Sequence, residues 1–412
     1  MLIKTAKLFR RFKYQNIFTG RKLCSNPTTK VEKSCFNLLK TRIDMCGPLT
    51  VADYMKEIFM NPKMGYYMTK DVFGKDGDFT TSPEISQLFG EMIAIWCINE
   101  WHKLGSPNPH FLVELGPGRG TMMQDILRVF NKIGMNNAGL SVHLVEVSRE
   151  LSKIQAKNLC TTVKETTGAH FMEGVTETGV PVYWYNSIES VPTCFTLILA
   201  HEFFDALPIH KFQKTDEGWR EVLIDVNEAG NKLRYVISKA PTPASLYFTA
   251  GEEKRHHLEV SPQAGMIMQH IAQRLVNHGG FLLVADYGHT GEREDTFRAF
   301  RNHSQQDPLL EPGMSDLTAD VDFSYLKKMV ADKLLAFGPK SQHDFLKSLH
   351  IDIRLEVLLK KSKSKEEKEM LLSGYKMIMD RDKMGECFKF MSFFPSVVKE
   401  LLEQFPVVGF EN

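Results

Sequence analysis

The sequence predicts an α/β protein in which a mostly parallel sheet is covered by crossover helices. Short apolar runs alternate with helical patterns through the middle of the chain, and a glycine-rich turn joins one such run to a helix. Of the 412 residues, 43% are hydrophobic and 25% are charged, which excludes collagen-like, coiled-coil and wholly disordered chains. No uninterrupted apolar run approaches the roughly 20 residues that a membrane-spanning helix needs.

The predicted core strands are short apolar runs between residues 111 and 285. They lie at Phe111–Leu115, Val142–Val147, Val182–Tyr185, Phe195–Ala200 and Gly280–Ala285. Helical patterns follow the first two of them, at Thr121–Ile133 and Arg149–Asn158. This alternation favours parallel pairing, because a crossover helix returns the chain to the edge where the previous strand began.

The pattern changes between Ile209 and Lys239, where Trp219–Ile224 and Leu233–Ile237 resemble antiparallel strands inserted into the core. After Gly291 we expect a polar, arginine-rich loop, further helices and a late strand at Phe388–Phe393. We therefore predict four regions: a leader (1–40), a helical N-terminal region (41–105), an α/β core (106–290, with a β insertion at about 208–260), and a C-terminal part (291–412) that completes the sheet and the acceptor site.

Two helix starts are predicted in the N-terminal region. Thr50 followed by Asp53 resembles a capping box. Ser82-Pro83-Glu84 combines a cap, a proline in the first turn and an acid near the positive end of the helix dipole. The helix that follows is expected to bury one apolar face, formed by Ile85, Leu88, Phe89, Met92, Ile93 and Trp96.

The first 31 residues are basic and contain no acid. Without them the net charge changes from +1 to about −7, so charge gives no support for nucleic-acid binding. A basic, acid-free, amphipathic N-terminus is typical of a mitochondrial presequence, and a disordered basic tail is the alternative. The basic residues are Lys4, Lys7, Arg10, Arg11, Lys13, Arg21, Lys22 and Lys30.

The most informative segment is the turn after the first core strand. Three glycines stand at alternate positions, Gly116, Gly118 and Gly120, and a helical pattern begins directly after them. Glycine lets the backbone turn tightly and lets a ligand approach it closely. The N-terminus of the following helix favours hydrogen-bond acceptors and negative groups.

Two cofactor classes compete for this turn. A dinucleotide fingerprint needs a third glycine three residues after the second, where this chain has Thr121. Glycine at every second residue, with Glu114 two residues before the first, is instead the S-adenosylmethionine turn of class I, Rossmann-like methyltransferases. Glu114 suits the sulfonium and ammonium of S-adenosylmethionine and would repel a pyrophosphate. A tight turn with no ligand is the structural alternative.

A second acid, Glu146, lies near the end of the second predicted strand. An acid at this position can accept hydrogen bonds from both ribose hydroxyls, in dinucleotides and methyl donors alike. We therefore predict that the cofactor is held by Glu114, Gly116, Gly118, Gly120 and Glu146.

A third turn, Glu202–Pro208, follows the predicted strand Phe195–Ala200. Ligands of open α/β sheets bind beyond the carboxyl ends of the strands. Glu202 and Asp205 can hold a guanidinium in a bidentate fork, and Phe203 or Phe204 can stack on it. Helix capping by Asp205 and core packing of the phenylalanines are the alternatives. We predict that Glu202 and Asp205 are catalytic, because carboxylates can align a delocalised guanidinium and accept its proton.

These motifs are together similar to those of the MidA family of methyltransferases. The resemblance covers nearly everything from about residue 40 to 395 and is carried by five segments in order: Gly77–Gln87, Val113–Gly120, Glu202–Pro208, Asp286–Gly288 and Leu317–Phe323.

The resemblance implies an S-adenosylmethionine-dependent methyltransferase of the mitochondrial matrix. Its implied reaction is symmetric dimethylation of an arginine on a quinone-reductase-module subunit of respiratory complex I, for the assembly of that complex. It also implies that Tyr287 lines the pocket for the methyl acceptor. The segment Gly77–Gln87 is expected to form a lid, from which Glu84 or Thr80 reaches the cofactor.

Two other functions remain open from the sequence. A non-catalytic complex I assembly chaperone could keep the fold and bind S-adenosylmethionine as a structural ligand, and the acceptor could be a small molecule. No metal site is expected, because the adjacent His256 and His257 side chains diverge and no acidic cluster accompanies them.

Overall fold

The computed structural model describes residues 28–61, 65–66, 81–135, 139–249 and 253–411. Residues 1–27 of the predicted leader and residues 77–80 of the predicted lid lie outside the described residues. The helix Thr28–Cys46 crosses the predicted boundary at residue 40, and Cys35 and Leu39 on it are buried. This helix therefore joins the end of the predicted leader to the predicted helical N-terminal region.

The strands confirm the alternation read from the sequence, with ends that shift by one or two residues and one long extension. They are β1 (Leu49–Thr50), β2 (His110–Leu115), β3 (Leu140–Val145), β4 (Thr162–Glu165), β5 (Met172–Val175), β6 (Pro181–Tyr185), β7 (Phe195–His201), β8 (His210–Thr215), β9 (Gly218–Val226), β10 (Leu233–Ile237), β11 (His257–Val260), β12 (Gly280–His289), β13 (Arg298–Arg301), β14 (Ser304–Gln306), β15 (Asp316–Thr318), β16 (Val321–Asp322), β17 (Leu334–Ser341) and β18 (Phe388–Pro395).

Helices cover both faces of the main sheet and recur in the N- and C-terminal regions. They are α1 (Thr28–Cys46), α2 (Val51–Met60), α3 (Ser82–Ile85), α4 (Gln87–Lys103), α5 (Thr121–Lys132), α6 (Arg149–Leu159), α7 (Pro243–Phe248), α8 (Pro262–His278), α9 (Phe323–Val330), α10 (Gln342–Ser348), α11 (Ile351–Lys361), α12 (Lys365–Met379), α13 (Met384–Cys387) and α14 (Lys399–Gln404). Within the described ranges, no helix is both long and apolar enough to cross a bilayer.

The main sheet has the order β17-β18-β12-β7-β2-β3-β6-β5-β4. Its centre, from β12 to β6, is parallel, and the strands at both sides are antiparallel. The chain runs from β2 outward to β3 and β6 and then returns to place β7 on the other side of β2. This reversal is the switch point where open α/β sheets bind ligands, at the carboxyl ends of β2, β3 and β7.

The inserted β segment forms a second, antiparallel sheet of β8 to β11. The N-terminal region contributes β1 to it, with Leu49 opposite Ile224. Thr50 caps α2 as predicted, since its Oγ1 accepts a hydrogen bond from Asp53 N at 3.0 Å. The insertion and the N-terminal helices thus share one core beside the main sheet.

Three predictions about elements are wrong. The single helix expected from Ser82 is broken at Ser86, whose extended backbone starts α4 afresh and whose Oγ accepts from Leu88 N. The loop expected after Gly291 contains the small sheet β14-β13-β15. The strand expected to end at Ala285 continues to His289, because β18 and then β16 pair with its extension.

Candidate active site

The glycine turn between β2 and α5 adopts the backbone that its composition predicts. Gly116, Gly118 and Gly120 all have left-handed backbones, with φ of +62°, +54° and +80°. A Cβ on Gly116 would come within 3.0 Å of the Phe203 ring. Gly116 N also donates to Val145 O at 3.0 Å, which ties the turn to the end of β3. Glycine suits these three positions because residues with a Cβ are strained in the left-handed region.

Glu146 follows directly after β3 and is buried. Its Oε1 accepts from Ser148 N at 2.7 Å, and its Oε2 accepts from Gln155 Nε2 at 3.1 Å. The same Gln155 nitrogen donates to Gly118 O at 2.7 Å. Gln155 therefore links the carboxylate to the glycine turn, a role that the helical pattern around it did not reveal.

The acidic turn begins where β7 ends. Glu202 has a left-handed backbone (φ +48°), a conformation that non-glycine residues adopt at a cost and that recurs at functional sites. Its N–H donates to Ala285 O at 3.0 Å, and its carboxylate accepts from Ser82 N. Asp205 accepts from Thr318 Oγ1 at 2.7 Å. Glu202 is thus held through its backbone by β12, and Asp205 is held through its carboxylate by β15.

Asp286 holds this turn from the adjacent strand β12. Its Oδ2 accepts from the backbone N–H groups of Phe203, Phe204 and Asp205, at 3.2, 2.9 and 3.4 Å, and its Oδ1 accepts from Tyr287 N at 3.0 Å. The side chain is fully buried. The sequence singled out Asp286 within a family motif, but the structure shows that it fixes the acidic turn.

Replacing Asp286 is expected to destabilise the fold. Asp286→Ala leaves several buried N–H groups unpaired, and each such group costs about 1–3 kcal/mol. We expect the free energy of unfolding to fall by about 3 kcal/mol or more, measured by urea denaturation. Asp382→Ala, at an exposed aspartate, is the matched control and should change it little. Equal midpoints for the two variants would contradict this role.

The two turns and Glu146 enclose one cavity of about 430 Å³. Six of the predicted site residues line it: Gly116, Gly118, Glu146, Glu202, Phe203 and Asp205. Apolar side chains form much of the remaining wall, among them Val145, Leu151, Ile188 and Leu207. A pocket that is mostly apolar with a few convergent polar groups is the usual form of a small-molecule site.

The other four predicted site residues do not line the cavity. Glu114 lies within β2 and is buried, and Gly120 caps α5 behind the turn. Phe204 packs in the core beneath the turn. Tyr287 packs on Phe388, with ring centroids 4.0 Å apart, because the extension of β12 pairs it with β18.

The predicted lid is described only from residue 81, so Thr80 lies outside the described residues. Glu84 accepts a hydrogen bond from Thr121 Oγ1 at the start of α5, and it lies 3.9 Å from Arg119. Together with the Ser82–Glu202 bond, this contact makes α3 a bridge between the glycine turn and the acidic turn.

Burial dominates the electrostatics of the cavity. Desolvation raises the pKa of Glu146 to about 7 and raises that of Glu202 well above its usual range, where Asp205 and Asp316 add repulsion. Desolvation also raises the pKa of Asp205. Burial and mutual repulsion make the ionised form of these carboxylates unfavourable, and a nearby cation offsets both effects. The cavity therefore suits a positively charged ligand.

The residues present fit S-adenosyl-L-methionine. Glu202 Oε1 and Asp205 Oδ1 are buried and have no hydrogen-bond partner among residues 28–61, 65–66, 81–135, 139–249 and 253–411. Both residues line the cavity, where their carboxyl groups can pair with the positive charge of a bound ligand. Glu146 lines the same cavity, and its hydrogen bonds from Val147 N–H, Ser148 N–H and the Gln155 amide leave one of the four carboxylate lone pairs for a hydroxyl. The left-handed Gly118 presents no side chain to the cavity.

Comparison with known proteins agrees with this site. Residues 92–340 match the model of a family of S-adenosyl-L-methionine-dependent methyltransferases. The chain is 48% identical over 384 residues to the human mitochondrial protein arginine methyltransferase NDUFAF7, covering 92% of this chain and 86% of the relative. It is 46% identical over 420 residues to the Danio rerio protein of the same name, covering 99% of both chains.

A solved structure shares the fold. A COG1565 superfamily member from Burkholderia thailandensis, bound to S-adenosyl-homocysteine, superposes with a TM-score of 0.74 at 21% identity and covers 95% of this chain and 96% of its own. The family match, the relatives and the fold agree with the glycine turn and its cavity. The chain therefore belongs to the family of S-adenosyl-L-methionine-dependent methyltransferases and takes its methyl group from that donor.

Proposed function

We propose that this enzyme methylates an arginine side chain of a protein, with Glu202 and Asp205 as its catalytic carboxylates. One observation carries the proposal: both acids line the cavity of the glycine turn, and each buries one oxygen that lacks a partner in the described part of the chain. A guanidinium offers five N–H donors and a permanent positive charge. It can satisfy both oxygens and relieve the repulsion between the acids.

The carboxylates supply what a guanidinium lacks as a nucleophile. When bound, S-adenosyl-L-methionine supplies an electrophilic methyl group whose bonding electron pair leaves on sulfur. Glu202 and Asp205 hold the guanidinium so that one nitrogen is aligned for in-line attack. One of them accepts the proton that this nitrogen loses as the new nitrogen–carbon bond forms. Phe203, which lies between them in sequence and lines the cavity, helps to exclude water.

The proposed acceptor is a protein of respiratory complex I. The relatives are named mitochondrial protein arginine methyltransferases, and the family resemblance implies a core subunit of the quinone-reductase module as acceptor. We therefore propose that this enzyme symmetrically dimethylates one arginine on that subunit. The reaction would take place in the mitochondrial matrix and support complex I assembly. Of the three predicted acceptor contacts, Phe203 lines the cavity, whereas Phe204 packs in the core and Tyr287 packs on Phe388, so we propose Phe203 as the aromatic contact of the acceptor.

The acceptor class is tested with isotope-labelled methyl donor. The full-length enzyme is incubated with S-adenosyl-L-methionine carrying a labelled methyl group and with an extract of mitochondria that lack the enzyme. Mass spectrometry is expected to find labelled, symmetrically dimethylated arginine on a complex I subunit. Absence of any label would favour the non-catalytic chaperone, and label confined to small molecules would favour a metabolite acceptor; either result would overturn the proposal.

The leader is tested by fusion. Residues 1–40 fused to a fluorescent protein are expected to direct it to mitochondria, because a basic, acid-free, amphipathic N-terminus is the import pattern. Replacing Lys4, Lys7, Arg10 and Arg11 by glutamine is the matched control and should abolish import. Diffuse cytosolic fluorescence of the unmodified fusion would contradict the prediction.

A further inference from the structure

His201 is the last residue of β7 and stands directly before Glu202. Its side chain is only 8% exposed. The ring lies between two aromatic side chains: the centroid of Phe89 is 4.9 Å away, and that of Phe388 is 6.0 Å away and nearly parallel. These apolar walls fix the plane of the imidazole, but they offer no hydrogen-bond partner to its nitrogens.

Two buried polar atoms without partners face each other at this point. Neither His201 Nε2 nor Glu202 Oε1 has a hydrogen-bond partner among the residues that the structure describes, and the two atoms are 3.5 Å apart. An unpaired buried polar atom is costly, and one hydrogen bond between them would satisfy both. Catalytic hydrogen bonds are often long before the substrate binds and shorten in the complex.

We propose that His201 is a positioning residue for methyl transfer, in which Nε2–H donates to Glu202 Oε1 and orients that carboxylate toward the acceptor guanidinium. The inference rests on the proposed role of Glu202. A carboxylate oxygen has two lone pairs, so Oε1 can accept from the imidazole and from the guanidinium together. The aromatic walls and the backbone of β7 hold the donor in place.

The charge states agree with this arrangement. Burial lowers the pKa of His201 to about 3, so the imidazole is a neutral donor at physiological pH. The titratable groups that face Glu202 are Asp205, Asp286, Asp316 and Tyr287, besides His201, and the acids disfavour its ionised form. A hydrogen bond to the ionised carboxylate favours it. Removal of the imidazole donor should therefore raise the pKa of Glu202.

The sign of the pH effect follows from the role of Glu202 as a base. A base works only when ionised, so the rate falls as the pH drops below its pKa. With the donor lost, that fall should begin at higher pH. We expect His201→Leu to move the acid limb of kcat upward by about one pH unit, which is about a tenfold lower rate at a fixed pH on that limb.

The experiment measures kcat and KM from pH 6 to pH 9.5 on the full-length enzyme, with an arginine-containing protein acceptor. His201→Gln, whose amide N–H can replace Nε2–H, should keep the wild-type limb, whereas His201→Leu and His201→Phe should shift it. His201→Phe keeps an aromatic ring between Phe89 and Phe388 and serves if the leucine variant does not fold. The affinity for S-adenosyl-L-methionine should be the same in all variants.

An acid limb of His201→Leu or His201→Phe that coincides with that of the wild type would overturn the inference. A shift of equal size in His201→Gln would also overturn it, because the effect would then not depend on an N–H donor. If the wild type itself transfers no methyl group to arginine, the proposed function fails first. The two failures are therefore distinguishable.

Discussion

Glu202→Gln is expected to lower kcat for arginine methylation by about 10²- to 10⁴-fold, the range that a general base contributes. Glutamine keeps the size of the side chain but removes the negative charge and the ability to accept a proton. We propose that Glu202 holds the acceptor guanidinium, whereas Glu146 is linked to the glycine turn through Gln155 and is predicted to hold the cofactor. The affinity for S-adenosyl-L-methionine should therefore change much less than kcat.

Single-turnover kinetics and calorimetric titration of the donor separate the two effects. Glu150→Gln makes the same chemical change on the exposed face of α6, where Glu150 pairs with Lys153, and serves as the matched control. Wild-type turnover by Glu202→Gln would show that Glu202 is not catalytic. An equal loss of donor affinity would place it in the cofactor site instead.

Gly118→Val is expected to weaken S-adenosyl-L-methionine binding by at least about 100-fold. Gly118 lines the cavity on a left-handed backbone, so a branched side chain would both strain the turn and occupy space at the cavity wall. Its carbonyl also accepts from Gln155, which holds Glu146, so a distorted turn would displace that acid too. Calorimetric titration measures the affinity directly.

A control variant must show whether Gly118→Val acts by straining the backbone in general or by changing the cofactor site. Gly134 also has a left-handed backbone (φ +76°), is exposed, and has no atom within 4 Å of a Cβ placed on it. Gly134→Val therefore introduces comparable strain away from the cavity, and thermal unfolding monitors both variants. Equal donor affinity in Gly118→Val and the wild type would remove the glycine turn from the cofactor site.

Local patterns predicted the centre of the fold well. Apolar periodicity, bounded by glycine, polar residues or a change of period, predicts strands β2, β7 and β10 and helix α5. Gly116, Gly118, Glu146, Glu202 and Asp205 could be placed at strand ends for the same reason. Parallel strands bring such ends together at one edge of a sheet, and these five residues line one cavity.

The remaining features depend on contacts between distant residues. Asp286 binds the acidic turn from 81 to 83 positions away in sequence, and Gln155 reaches the glycine turn from 37 positions away. Tyr287 could not be placed, because its position depends on antiparallel pairing of β12 with β18 at the far end of the chain. A local sequence pattern cannot predict any of these long-range contacts.

Every residue role proposed here depends on the cavity between the glycine turn and the acidic turn being the methyl-donor site. A crystal structure of the enzyme with S-adenosyl-homocysteine tests it directly. We expect the ligand in this cavity, with its ribose hydroxyls hydrogen-bonded to Glu146 and its backbone contacts at Gly116 and Gly118. A ligand bound elsewhere on the sheet, with Glu146 and Glu202 not facing it, would contradict the assignment.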